Sequence, residues 1–242
     1  MGSPRRDRRR PGQGRSVRCR GLAVSCGLAW LLAAEVLAQG ANPDAADHMP
    51  LASGNWWVLG ASAGERFEIR VTEMRSERDG TRLVRVDDSN GDYRLLSIAA
   101  DRSISLLELH RLGQAPLGLD PPLVMLPGNV AAGARHEHQT MARAFDPSGD
   151  SEPQQGSARA ELAAARIEAV RTPAGRFEDC LALEGQVELA WSGGESQVEK
   201  FLVWLAPGVG PVRLQLGPDP RRATDLRLLE ARVGDRSVPA EP

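Results

Sequence analysis

Cysteine is nearly absent from this chain of 242 residues, which has three. Cys19 and Cys26 both fall within the first 38 residues, so if that segment is removed Cys180 stands alone and no intrachain disulfide can form. The fold must then be held by its core. Aromatic residues are also scarce, at 4%, with one tyrosine. No His-Glu-x-x-His and no glycine-rich phosphate loop occurs, so the common sequence signatures of zinc proteases and nucleotide enzymes are missing. No segment carries a convincing long helical pattern, and no internal repeat stands out.

What is present begins with a leader. Arg5, Arg6, Arg8, Arg9, Arg10, Arg15, Arg18 and Arg20 precede an apolar run over 22–34, and Val36-Leu37-Ala38 offers a small-residue cleavage pattern. This is the anatomy of a secretory signal peptide over 1–38 with cleavage near Ala38. Retention of the run as a membrane anchor, and lipid attachment at Cys26, are the alternatives. The expected location is periplasmic or secreted, with no integral membrane segment after cleavage. Residues 1–38 carry eight of the 30 basic residues and two of the 32 acidic ones, which leaves 22 basic against 30 acidic and a net charge of -8. A domain of that sign repels phosphate backbones, so nucleic acid is not an expected partner. We expect a flexible leader over 39–47, a single β domain over 48–236 and a tail over 237–242.

The β assignment rests on alternation. Phe67, Ile69 and Val71 interleave with Glu68, Arg70 and Thr72, the period of a half-buried strand. Asp79-Gly80 and Asn90-Gly91 supply hairpin turns, and strands over 83–86, 93–99 and 104–109 complete a meander. Over 110–138, Pro116, Pro121, Pro122 and Pro127 argue for a surface crossover rather than a strand. The polar run over 146–156 reads as a loop. The alanine-rich segment over 158–170 has helix-forming composition, but its context favours a strand. Alternation is clearest over 177–191, where Asp179 interrupts an otherwise apolar face, and it continues over 198–205, 212–216 and 226–233. The expected fold is all-β and mainly antiparallel: a large curved sheet or half-barrel with a long proline-rich crossover.

Three segments are distinctive: Met49-Pro-Leu-Ala-Ser-Gly-Asn-Trp-Trp57, Thr172-Pro-Ala-Gly-Arg-Phe177 and Trp204-Leu-Ala-Pro-Gly-Val-Gly-Pro-Val212. Their prolines fix φ and their glycines admit positive φ, which makes rigid reversals between strands. In order and spacing they resemble the PLxxGNxW, TPAGxF and WxAPGVGPV motifs of an uncharacterised family of exported bacterial β proteins. The resemblance implies a curved antiparallel sheet similar in shape to the half-barrels of periplasmic lipoprotein carriers, and it implies no activity.

Candidate chemistry is sparse. His136 and His138 would share one face of a strand and could hold a divalent metal if His110 or His48 completed the set; surface histidines are the plainer reading. Cys180 falls on the polar face of its strand and reads as a half-buried inert thiol. Asp179 needs a partner or a place at the rim. Trp56, Trp57, Trp191 and Trp204 account for four of the nine aromatic residues beyond residue 38. They are either core or the lining of a groove for a hydrophobic ligand. The expected function is an exported non-enzymatic β protein that binds a hydrophobic small molecule or an envelope protein, with no cofactor. The alternatives are an envelope metalloprotein or hydrolase using His136 and His138, or a structural subunit of an envelope complex.

Overall fold

The computed structural model describes residues 44–61, 64–129, 135–145, 152–217 and 223–238. The leader over 1–38 therefore lies outside the described residues, as does most of the loop over 146–156. A short helix, α1 (Ala45–His48), precedes β1 (Trp56–Ala61), β2 (Arg66–Ser76), β3 (Arg82–Asp88) and β4 (Tyr93–Ile98). β5 (Ile104–His110), β6 (Leu117–Leu126) and β7 (Arg135–Ala144) lead to two long strands, β8 (Gln154–Thr172) and β9 (Gly175–Trp191). The chain ends in β10 (Ser196–Ala206), β11 (Gly210–Leu216), β12 (Thr224–Val233) and β13 (Arg236–Val238).

Every strand pairs antiparallel with its neighbours in sequence, and β1 also pairs with β12. The meander thus closes into a twelve-stranded barrel, with β13 a short addition to β12. The expected half-barrel was one step short of this closure, which turns the two edges of a curved sheet into partners. Alternation assigns the faces. Trp57, Leu59, Ile69, Val84, Leu96, Ile104, Leu183, Val203, Leu214 and Leu228 are all buried in one hydrophobic cluster, and the more exposed positions that alternate with them face outward. The lumen also holds an ion pair: both nitrogens of the Arg94 fork donate to the two oxygens of Asp88, and the side chains are 1% and 0% exposed. Burial pushes the Asp88 carboxyl up to about 6, while Arg94 pulls it down.

Four expectations need correction. The proposed crossover over 110–138 contains β6 and the first four residues of the following β7. β6 tolerates Pro121 and Pro122 because its ladder breaks around them: pairing with β5 jumps from Gly118 to Leu123, and pairing with β7 stops at Asp120. The missing N–H groups therefore fall where no neighbouring strand needs them, and the Asp120–Pro121 bond is cis. The described end of the expected leader is tied down, because Asp44 bridges to Asn129, Ala45 is buried and the Gly208 N–H donates to the Asp47 carbonyl. The described start of the expected tail, 237–238, belongs to β13. Finally, Asp179 sits in a bulge at φ +54°, where the pairing of β8 and β9 skips from Cys180 to Phe177. That extra residue leaves Asp179 exposed and buries Cys180 completely, rather than by half. Burial pushes the thiol up to about 12, so it stays protonated.

The three distinctive segments converge at the α1 end of the barrel. Asn55 donates to the Pro50 carbonyl at 2.7 Å and accepts from the Gly234 N–H at 2.8 Å. The β8–β9 turn docks on β12 through the Ala174 N–H and the Leu228 carbonyl at 3.1 Å. In the β10–β11 turn the Val209 carbonyl accepts the Trp57 indole N–H at 2.6 Å. Gly210 lies against that indole with φ +100°, and a Cβ there would stand 3.0 Å from Trp57 Nε1. Two constraints, conformation and space, thus fix this glycine.

Candidate functional site: an outer concavity on the long strands

The four tryptophans do not line one groove. Trp57 is fully buried, and Trp204 is 2% exposed. The Trp204 indole donates to Glu168 at 2.6 Å, and the Arg213 guanidinium lies 4.5 Å from its ring centre. Both are packing residues with satisfied polar handles. Trp56 is half-buried between Arg70 and Arg232 on the neighbouring strands. Trp191 lines a small hollow of about 100 Å³ at the barrel end opposite α1.

His136 and His138 do share a face, with nearly parallel rings 6.3 Å apart. Among the described residues no third ligand joins them, and no three His, Cys, Asp or Glu side chains gather as a metal site. His110 stacks on Tyr93 at 4.0 Å and contacts Glu108, and His48 is buried in α1. His138 serves the broken ladder instead. His138 Nδ1 accepts the Val124 N–H at 3.3 Å, and the Thr140 hydroxyl donates to the Pro121 carbonyl. Side chains of β7 therefore replace the main-chain bonds that β6 cannot make.

That role requires a neutral His138, and burial, with a smaller contribution from His136, holds its pKa below 6.5. Burial also lowers His48, against the pull of Asp47. In both cases the unfolded chain binds protons more readily than the folded one. Their stabilising contribution is complete above pH 6.5 and is lost as pH falls through the lowered folded values. Between about pH 7.5 and pH 5.5 the two histidines should therefore impose a drop in the urea midpoint, opposed by Asp88, whose raised value favours the folded protein as pH falls. A His48→Gln, His138→Gln double variant should flatten that drop, and an unchanged slope would refute the assignment.

A hollow of about 740 Å³ lies on the wall formed by β7 to β11. Register explains its character. Glu137, Glu161, Gln186 and Lys200 stand side by side across four strands, and the next outward row runs Arg135, Ala163, Glu184, Leu202 and Gln215. These positions alternate with buried Leu162, Phe201 and Val187, so their side chains occupy the outer face. Glu137 and Glu161 would repel one another as direct neighbours. Arg159 offsets this by pairing with both, at 2.8 and 2.9 Å, and Gln186 donates to Glu161 at 3.0 Å. The floor is thin at Gly185, where the Phe201 ring covers the space a side chain would fill: a Cβ would come within 2.2 Å of it.

Sequence reading passed over these residues, apart from His136, because charged residues at alternate strand positions look like any solvated face. The available signal was a column rather than a run: outward charges at matching registers of four successive strands, visible only once the pairing is known.

The fold and this wall define the class of molecule, a closed twelve-stranded antiparallel β-barrel with a filled lumen and a polar outer concavity. Neither a protein-family model nor a curated protein matches the sequence. Among solved structures, the chain is similar to a protein assigned as a lipoprotein in Parabacteroides distasonis, with 14% identity and a TM-score of 0.36 over 80% of this chain and 100% of that one. It is also similar to a Bacteroides fragilis protein assigned as exported, with a YmcC-like fold: 15% identity and a TM-score of 0.35, over 77% and 96% of the two chains. The hypothetical lipoprotein YmcC of Escherichia coli matches with 10% identity and a TM-score of 0.36, over 76% of this chain and 88% of that one.

Proposed function

We propose that this chain is an exported, non-enzymatic β-barrel that engages a protein of the cell envelope through the outer concavity of β7 to β11. The observation that carries this reading is the location of the large hollow: it lies outside the barrel, while the lumen is filled by side chains. A carrier of acyl chains needs the opposite arrangement. Its volume falls within the range of about 300–1,000 Å³ usual for binding sites, and charges of both signs suit a polar protein surface. The leader over 1–38 supports delivery to the envelope. The proposal includes membership of the exported β family whose three motifs this sequence resembles.

Lys200, the chain's only lysine, stands in the concavity and gives a direct test. Amine-reactive cross-linking in envelope extract should yield one adduct through Lys200. A Glu161→Arg, Glu184→Arg variant, which adds no reactive amine, should cut capture through Lys200 about tenfold, since reversed rim charges oppose the same partner. Equal capture by both proteins would count against the site. A hydrophobic molecule that survives purification in native mass spectrometry would favour the small-ligand reading instead.

A further inference from the structure

The hollow beside Trp191 has features that packing alone does not account for. β5 and β10 lie on opposite walls of the barrel, five strands apart in the ring. Arg111, one residue beyond β5, nevertheless donates across the lumen to Glu199 of β10 at 3.1 Å. The two side chains are 10% and 17% exposed, so a charge pair spans the mouth with little access to water. Gln197 donates to the same carboxylate at 2.8 Å. Yet the Nε–H of Arg111 is buried without a partner. An unused donor of a charged group in such a place costs free energy that an incoming acceptor would recover.

The surroundings narrow the choice of acceptor. Arg111, Gln114, Leu109, Leu189 and Trp191 line about 100 Å³ of space. At about 30 Å³ per water molecule, that admits a group of a few heavy atoms and neither a sugar ring nor an acyl chain. Glu199 already balances the Arg111 charge, so a second carboxylate would be repelled. An uncharged carbonyl meets both conditions, and Trp191 and Leu189 offer an apolar flank to its substituents.

We propose that this mouth is a binding site for a neutral amide group at the end of a larger ligand, its carbonyl oxygen on the Arg111 Nε–H and its apolar side against Trp191. The site is separate from the outer concavity, and either can fail without the other. An N-acylated sugar and an acylated peptide end present the same chemistry, so the probes are N-acetylglucosamine and N-acetyl-leucine amide, with acetate as the charged control.

The Arg111 Nε–H and Trp191 indole N–H signals of the 15N-labelled protein report the outcome. Both amide probes should shift the two signals in the millimolar range, and the larger response identifies the source of the amide. Arg111→Lys keeps a cation beside Glu199 but lacks the Nε–H; with circular dichroism unchanged, it should weaken the amide probes at least about tenfold. If no probe moves the signals, the hollow holds water only and the proposal falls. A stronger response to acetate, or undiminished binding by Arg111→Lys, overturns it as well.

Discussion

Replacing Asp88 with alanine should destabilise the barrel by about 3–5 kcal/mol, the cost of taking one partner from a buried ion pair. The guanidinium of Arg94 is 1% exposed and faces the lumen in line with Leu96 and Ile98, so it has no route to water once its carboxylate is gone. Asp88 also fixes the β3–β4 turn, where its N–H donates to the Asp92 carbonyl at 2.8 Å, but that main-chain bond survives substitution. The measurement is a urea midpoint near pH 7.5, above the raised Asp88 value of about 6, so that the native carboxyl is ionised. Removing the charge from both sides, Asp88→Leu with Arg94→Met, should recover most of the loss, because an apolar pair of similar volume asks for no compensation. A double variant as unstable as the single one would mean that the pair does more than neutralise itself.

Trp57→Ala should cost a comparable amount, about 3–5 kcal/mol, since it opens a cavity at a fully buried site. The loss has two parts that variants separate. Trp57→Phe keeps most of the buried area but leaves the Val209 carbonyl without its indole donor, at a cost of about 1–3 kcal/mol. Trp56→Ala, one residue away and facing outward, should change stability far less. Similar losses at the two adjacent tryptophans would contradict the assignment of faces. The Trp57 loss should also loosen the β10–β11 turn, because Gly210 packs against the same indole.

Strand alternation made most of the wall legible from sequence. The segments over 67–71, 83–86 and 93–99 were recognisable because one face is apolar and the other charged, and the glycines of the Asp-Gly and Asn-Gly turns between them do adopt positive φ. The alanine-rich segment has helix-forming composition, and in β8 tertiary pairing prevails over it. β6 was missed because proline is normally a reliable argument against a strand; two prolines are harmless when both neighbours let go of that stretch, and no single-chain pattern announces this. Cys180 departs from the face that strict alternation predicts because a bulge resets the period, and Asp179 is the residue that marks it. The outer concavity was invisible for a different reason. Glu137, Glu161, Gln186 and Lys200 are remote in sequence and become neighbours only through register.

The pairing of β1 with β12 joins residues 56–61 to residues 226–232, nearly the whole length of the domain apart. All other neighbours in the ring are sequential and can zip together as the chain arrives. A polypeptide delivered N-terminus first therefore spends its assembly as an open ribbon, with the edge of β1 exposed and Trp57 unsheltered until the last strand emerges. β12 is thus the clasp of the molecule. Premature termination before β12 would yield an unclosed sheet with two free edges rather than a smaller barrel.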